Sequence, residues 1–170
     1  MLLDTLRELT ACHSTPGEED EVAAFLLRFW EDCGWNTASY GRYAVAARAG
    51  GSSSAPDACR RVLICAHMDS PGYAVQHLGD TEAQLVCLGG VRCEGEAVDG
   101  RVRRGGASVP VRIGRRAGRE GQPEGWSIPR IEGLSYGDRV CFAASFQRDG
   151  PRVCSPFLDN RLGCAVLCEL

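Results

Sequence analysis

Lysine is absent from this sequence. All 19 basic residues are arginine, set against 22 Asp and Glu, for a formal net charge of -3. A bias that runs through the whole chain reads as coding preference before it reads as a recognition surface, and the mild negative charge gives no cause to expect nucleic acid as a partner. Any Cys-x-x-Cys is missing too. The ten cysteines are scattered, and Cys65, Cys87, Cys141, Cys164 and Cys168 fall in apolar runs, where cysteine acts as a small hydrophobe. This disfavours a disulfide framework and predicts reduced thiols and a cytoplasmic protein. Met1 to Cys12 carries Asp4, Arg7 and Glu8 and lacks the apolar core of a secretory signal. No apolar stretch approaches the length that crosses a membrane, so no membrane partner is expected.

What remains is an ordinary globular composition, 44% hydrophobic and 24% charged, in 170 residues. That is enough for one domain or two small ones. Leu2, Leu3, Leu6 and Leu9 recur at helical spacing and predict a short opening helix, broken by Ser14-Thr15-Pro16-Gly17. A second helix is predicted from near Glu18. Its acidic start, Glu18-Glu19-Asp20-Glu21, suits a helix N-terminus. Val22, Phe25, Leu26, Phe29 and Trp30 form its apolar face, and Gly34 marks its end. Residues 43–49 read as a strand and 50–56 as a flexible loop.

The central stretch is Val62-Leu63-Ile64-Cys65-Ala66-His67-Met68-Asp69. An uncharged, β-rich run predicts a strand over 62–66 buried on both faces. Ligands bind at the carboxyl ends of such strands in open α/β sheets. Residues i and i+2 of an extended segment share a side, so His67 and Asp69 place an imidazole and a carboxylate together. Metal binding wants this pair: a neutral His ligand, and a carboxylate that ligates or fixes the tautomer. An ordinary hydrogen-bonded histidine at a strand end fits the same pair.

From Tyr73 to Phe146 no helical period is present. Short β-like runs at 73–78, 84–88, 107–113 and 139–144 alternate with Gly- and Arg-rich turns at 89–90, 105–106 and 114–125. This predicts a small β-barrel or sandwich inserted into an α/β domain. The α/β character returns in a loop and an apolar helix, with Leu162, Ala165, Val166 and Leu170 at helical spacing. Such a helix belongs in a core, and the chain is expected to be part of a longer fold.

Three stretches, in order, resemble the M42 family of metallo-aminopeptidases, the glutamyl- and tetrahedral-aminopeptidase group. They are Ser14-Thr15-Pro16-Gly17-Glu18-Glu19-Asp20-Glu21-Val22, then Ala66-His67-Met68-Asp69, then Leu158-Asp159-Asn160-Arg161-Leu162-Gly163-Cys164-Ala165. Gly133-Leu134-Ser135-Tyr136-Gly137-Asp138-Arg139-Val140 resembles the turn that precedes the third. The resemblance implies an α/β catalytic domain with an inserted β-barrel or sandwich used for dimerisation, often in a hollow dodecamer. It implies two divalent metal ions, zinc or cobalt, and removal of N-terminal residues from peptides. His67 would ligate one metal, Asp159 would bridge both, and Asp69 would orient His67. The family's general-base Glu and its remaining metal ligands would lie beyond this stretch, so the chain alone is expected to be a truncated, inactive portion. The implied division is 1–70 for the first part of the catalytic domain, 71–151 for the β-domain and 152–170 for the return. Two departures stand out. Ser70-Pro71 follows His-Met-Asp where the family has Glu, and Gly41-Arg42-Tyr43 replaces a Gly-Asn segment.

Alternatives attach to each residue. Asp159 alone also suits a helix N-cap. His13 and His77 have no ligand context. Cys164 and Cys168, on one helical face, suit core packing better than metal. Arg101, Arg103 and Arg104, with Arg115 and Arg116, lie among acidic residues and predict a solvated β-domain surface. For the chain as a whole, the alternative is a non-catalytic oligomerisation module of the same fold.

Overall fold

The computed structural model describes residues 1–48, 62–91, 93, 95–104, 107–118 and 124–170. The expected loop 50–56, the turn 105–106 and part of the turn 114–125 lie outside them, as does Cys59. Helix α1 (Leu2–Ala11) buries Leu6 and Leu9. Helix α2 (Asp20–Asp32) opens on Asp20 and Glu21, which complement the helix dipole. It buries Val22, Phe25, Leu26 and Trp30 and ends at Cys33. Gly34 follows at φ 76°, the left-handed turn that releases the chain from the helix. A hairpin of β1 (Asn36–Tyr40) and β2 (Ala44–Arg48) comes next.

Six strands then close a barrel: β3 (Gly72–Leu78), β4 (Glu82–Leu88), β5 (Ala97–Arg104), β6 (Ala107–Arg116), β7 (Gly125–Pro129) and β8 (Arg139–Phe142). Their order is β3-β4-β7-β6-β5-β8 and the pairs are antiparallel. Closure removes the unpaired edges that an open sheet would present. Inward-facing Tyr73, Val75, Leu85, Val102, Ile113, Ile128 and Val140 fill the interior, each worth about 1.5–3 kcal/mol on burial. Gly100 is required there: a Cβ would stand 2.4 Å from Ile113 Cδ1 and 2.8 Å from the Cys141 carbonyl oxygen. A short hairpin of β9 (Gln147–Asp149) and β10 (Arg152–Cys154) leads back to helix α3 (Leu158–Glu169). Helices α1, α2 and α3 share a second core of Leu6, Leu9, Val22, Leu26, Cys164 and Ala165.

Four readings of the sequence are corrected. The structure has no strand over 62–66, and Val62, Leu63 and Ile64 are 82%, 88% and 57% exposed. A strand needs partners for its backbone groups, and β1 and β2 form a two-stranded sheet of their own. Helix α3 buries Arg161, Cys164, Ala165 and Cys168, while Leu162, Val166 and Leu170 are exposed. The small face packs against α1. Cys65 and Cys87 are exposed, so only Cys141, Cys164 and Cys168 of the five apolar-run cysteines are core residues. Arg101 and Arg103 are not a solvated face. Arg101 donates to the Ala11 carbonyl at 2.5 Å and Arg103 to Asp20 at 2.6 Å, docking the barrel on the helical layer.

Candidate metal centre

Two segments that are 92 positions apart meet at the candidate site. His67 and Asp69 lie on the irregular segment that leads into β3, and Asp159 lies at the start of α3. His67 Nδ1 is 3.0 Å from Asp69 Oδ1, and His67 Nε2 is 3.0 Å from Asp159 Oδ1. The imidazole thus sits in line between two carboxylates. Burial lowers its pKa, but the hydrogen bonds to Asp159 and Asp69 outweigh that and raise it above 6.5.

Local chemistry explains why Asp159 is free to face His67. Its φ and ψ are not helical. The capping task falls to Asn160, whose Oδ1 accepts the Gly163 N–H at 3.0 Å. The N-cap alternative therefore belongs to the neighbour, and the Asp159 side chain is 95% exposed. Gly163 is fixed by the same contact, because a Cβ would meet Asn160 Oδ1 at 2.1 Å and Ala66 Cβ at 3.0 Å. Cys164 Sγ donates to the His67 carbonyl at 3.4 Å, so the helix also supports the segment that bears the histidine.

The donor types fit a divalent metal. A histidine with a carboxylate behind one nitrogen and another carboxylate facing the other nitrogen is the arrangement that fixes a tautomer and presents a ligand. The donor number falls short: among the described residues, no group of three or more His, Cys, Asp or Glu could hold a metal ion, and a closed zinc site needs more than two donors.

His13 is elsewhere and buried. Its Nδ1 is 3.2 Å from Cys141 Sγ and its Nε2 is 3.0 Å from Glu18 Oε2. Burial, aided by the Arg101 charge, pushes its pKa down to about 4. His77 lies exposed on β3. The residue that pattern reading missed is Arg161, which is fully buried and donates to three segments. Its signal was an arginine inside an apolar helical period.

A groove of about 1170 Å³ runs beside the site, lined by Trp30, Val45, Ala47, Ile64, His67 and Leu167 among others. A mostly apolar concavity next to convergent polar groups is the usual setting for a ligand site.

The class the fold defines is a helical layer with a closed six-stranded barrel inserted between its site-bearing segments. Solved structures share it. The TET aminopeptidase of the marine sediment archaeon Thaumarchaeota SCGC AB-539-E09 superposes with a TM-score of 0.82 at 19% identity, covering 99% of this chain and 52% of its own. The TET1 peptidase of Pyrococcus horikoshii, which can assemble into a tetrahedron or a large octahedral shell, gives 0.79 at 18%, covering 99% and 55%. An endoglucanase of Thermotoga maritima gives 0.76 at 24%, covering 96% and 52%. The chain therefore has the fold of one half of these proteins and spans about half their length. No family model and no curated protein matches the sequence.

Proposed function

We propose that this chain is the first portion of a metal-dependent aminopeptidase that removes N-terminal residues from peptides. The observation that carries the reading is the Asp69–His67–Asp159 line, with 3.0 Å on each side of one imidazole. It joins two of the motifs that resemble the M42 family. In this reading His67 and Asp159 are ligands of a site for two divalent metals, zinc or cobalt, and Asp69 orients His67. A bound metal would supply Lewis-acid polarisation of water and the scissile carbonyl. The chain's own contribution is to fix Nδ1 on Asp69 and aim Nε2 at Asp159, where a metal would take the place of the Nε2 proton. The apolar groove would take the peptide or the rest of the domain. Segments 1–70 and 152–170 form the catalytic part and 71–151 the assembly domain, which forms homo-oligomers, with a cytoplasmic location.

The endoglucanase neighbour supports the fold but not the chemistry of a glycosidase. Such enzymes set two carboxyl groups across a glycosidic bond, whereas here both carboxylates bind one imidazole.

The remaining ligands and the base would come from outside these 170 residues. We therefore expect the chain alone to bind metal weakly and to hydrolyse little. Metal analysis and a chromogenic aminopeptidase assay on the purified chain test this. Robust turnover, lost on chelation and in Asp159→Ala, would overturn the inactivity. The second reading, a non-catalytic oligomerisation module, is favoured by a barrel with its own closed core. Light scattering that shows a folded oligomer without metal affinity would select it.

A further inference from the structure

We propose that Arg161 is a positioning residue that locks the His67–Asp69 segment in the geometry the site requires. The inference rests on the metal-site reading for its purpose but not for its geometry. Arg161 has 0% exposure. Its Nε donates to the Leu9 carbonyl at 3.1 Å, its Nη1 to the Met68 carbonyl and its Nη2 to Ser14 Oγ. One guanidinium thus ties α3 to α1, to the loop after α1 and to the residue between His67 and Asp69.

Every one of those acceptors is neutral. Among the described residues, Arg161 has no ion-pair partner. A buried cation without a carboxylate is costly, and hydrophobic residues hold α3 against α1 on either side of it. Core packing alone gives no reason to keep the charge there. The planar fork supplies something packing cannot: three donors in fixed directions, which lysine lacks. The fork fixes a segment that has no strand partners among the described residues. Its ladder is replaced by the Arg161–Met68 bond and by the Ser70 N–H donating to the Ser14 carbonyl at 2.9 Å. Arg161 holds Ser14, the acceptor of that contact, through Oγ, and holds Met68, two residues before its donor, through the carbonyl. The positive charge is also within electrostatic reach of Asp69.

The test uses the intact chain, amide hydrogen exchange without metal, and zinc titration by calorimetry. Arg161→Met keeps the length and removes the fork and the charge. We expect the Ser70 amide to exchange at least about tenfold faster while the Val102 and Val140 amides of the barrel are unchanged. Zinc affinity should fall by about tenfold or more, as for other groups that orient ligands. Arg161→Lys should recover part of both. An unchanged Ser70 amide in the folded Met variant overturns the proposal, as does a uniform acceleration through the helical layer, which would mark a merely structural role. If the Met variant does not fold, Ser14→Ala removes one acceptor and leaves the charge. A smaller acceleration confined to Ser70 then supports the proposal and no change overturns it. A wild-type chain that shows no zinc uptake sinks the metal-site reading, and the exchange result still decides whether Arg161 positions the segment.

Discussion

In the barrel, six strands pair in a closed circuit around an apolar interior. In the helical layer, Thr5, Thr10, His13, Ser14, Thr15 and Arg161 are buried, while Val62, Leu63, Ile64, Leu162, Val166 and Leu170 face outward. The barrel satisfies its backbone and its hydrophobic surface internally. The layer satisfies neither fully, and instead invests buried polar groups in fixing a few side chains. Buried polar groups specify geometry where they are paired, as Thr5, Thr10, Ser14 and Arg161 are. The candidate site stands in the second region, at the junction of segments that only such contacts hold together.

Truncating the barrel core is the strongest way to separate the regions. Ile113→Ala should cost about 3–4 kcal/mol, read by urea unfolding. Exchange protection should be lost in β5 and β6 before α2. Equal loss in both regions would merge the two cores into one.

Acid should act on the layer. His13 has a folded pKa of about 4 against 6.5 when unfolded, so the unfolded chain takes up the proton first. Its contribution is full above about pH 6.5 and is lost as pH falls toward 4, about 3 kcal/mol in all. Glu18, Asp20, Glu21, Arg101 and Arg103 surround it, and His13→Gln should flatten the stability profile in that window. A profile unchanged by the substitution would remove His13 from the account.

Gly163→Ala is the next step down. The new methyl has no room against Asn160 and Ala66, and overpacking of this kind costs about 2 kcal/mol. The backbone amide at position 163 reports the lost cap, and the barrel should be untouched. The smallest effect belongs to the contact between the regions. Arg103 pairs with Asp20 at 2.6 Å and Glu21 at 3.6 Å, but these carboxylates are partly solvated. Arg103→Gln should cost about 0.5–1 kcal/mol, less in high salt.

Helices α1 and α2 and strands β3, β4, β6 and β8 were readable because their apolar periods are local. Strands β5 and β7 were not. The first carries Arg101, Arg103 and Arg104 after one glycine, and its polarity is explained by Arg101 reaching the Ala11 carbonyl and Arg103 reaching Asp20. The second is five residues ending in proline. The run 62–66 has the composition of a buried strand, but pairing is supplied by neighbours, and composition cannot supply them. His67 and Asp69 were legible as a pair from their spacing, and Asp159 joined them only through resemblance, since nothing local links positions 92 apart.

Patterning along the chain therefore marked the helices, the extent of the β-domain and the His67–Asp69 pair. Tertiary structure decided which face of α3 turns inward, that Asp159 meets His67, and that a buried arginine holds the residue between His67 and Asp69. Each of those outcomes depends on partners contributed by distant segments: Leu9, Ser14 and Met68 for Arg161, and His67 for Asp159. A one-dimensional period records how polar a position is. It does not record whether a fold will bring that position three acceptors.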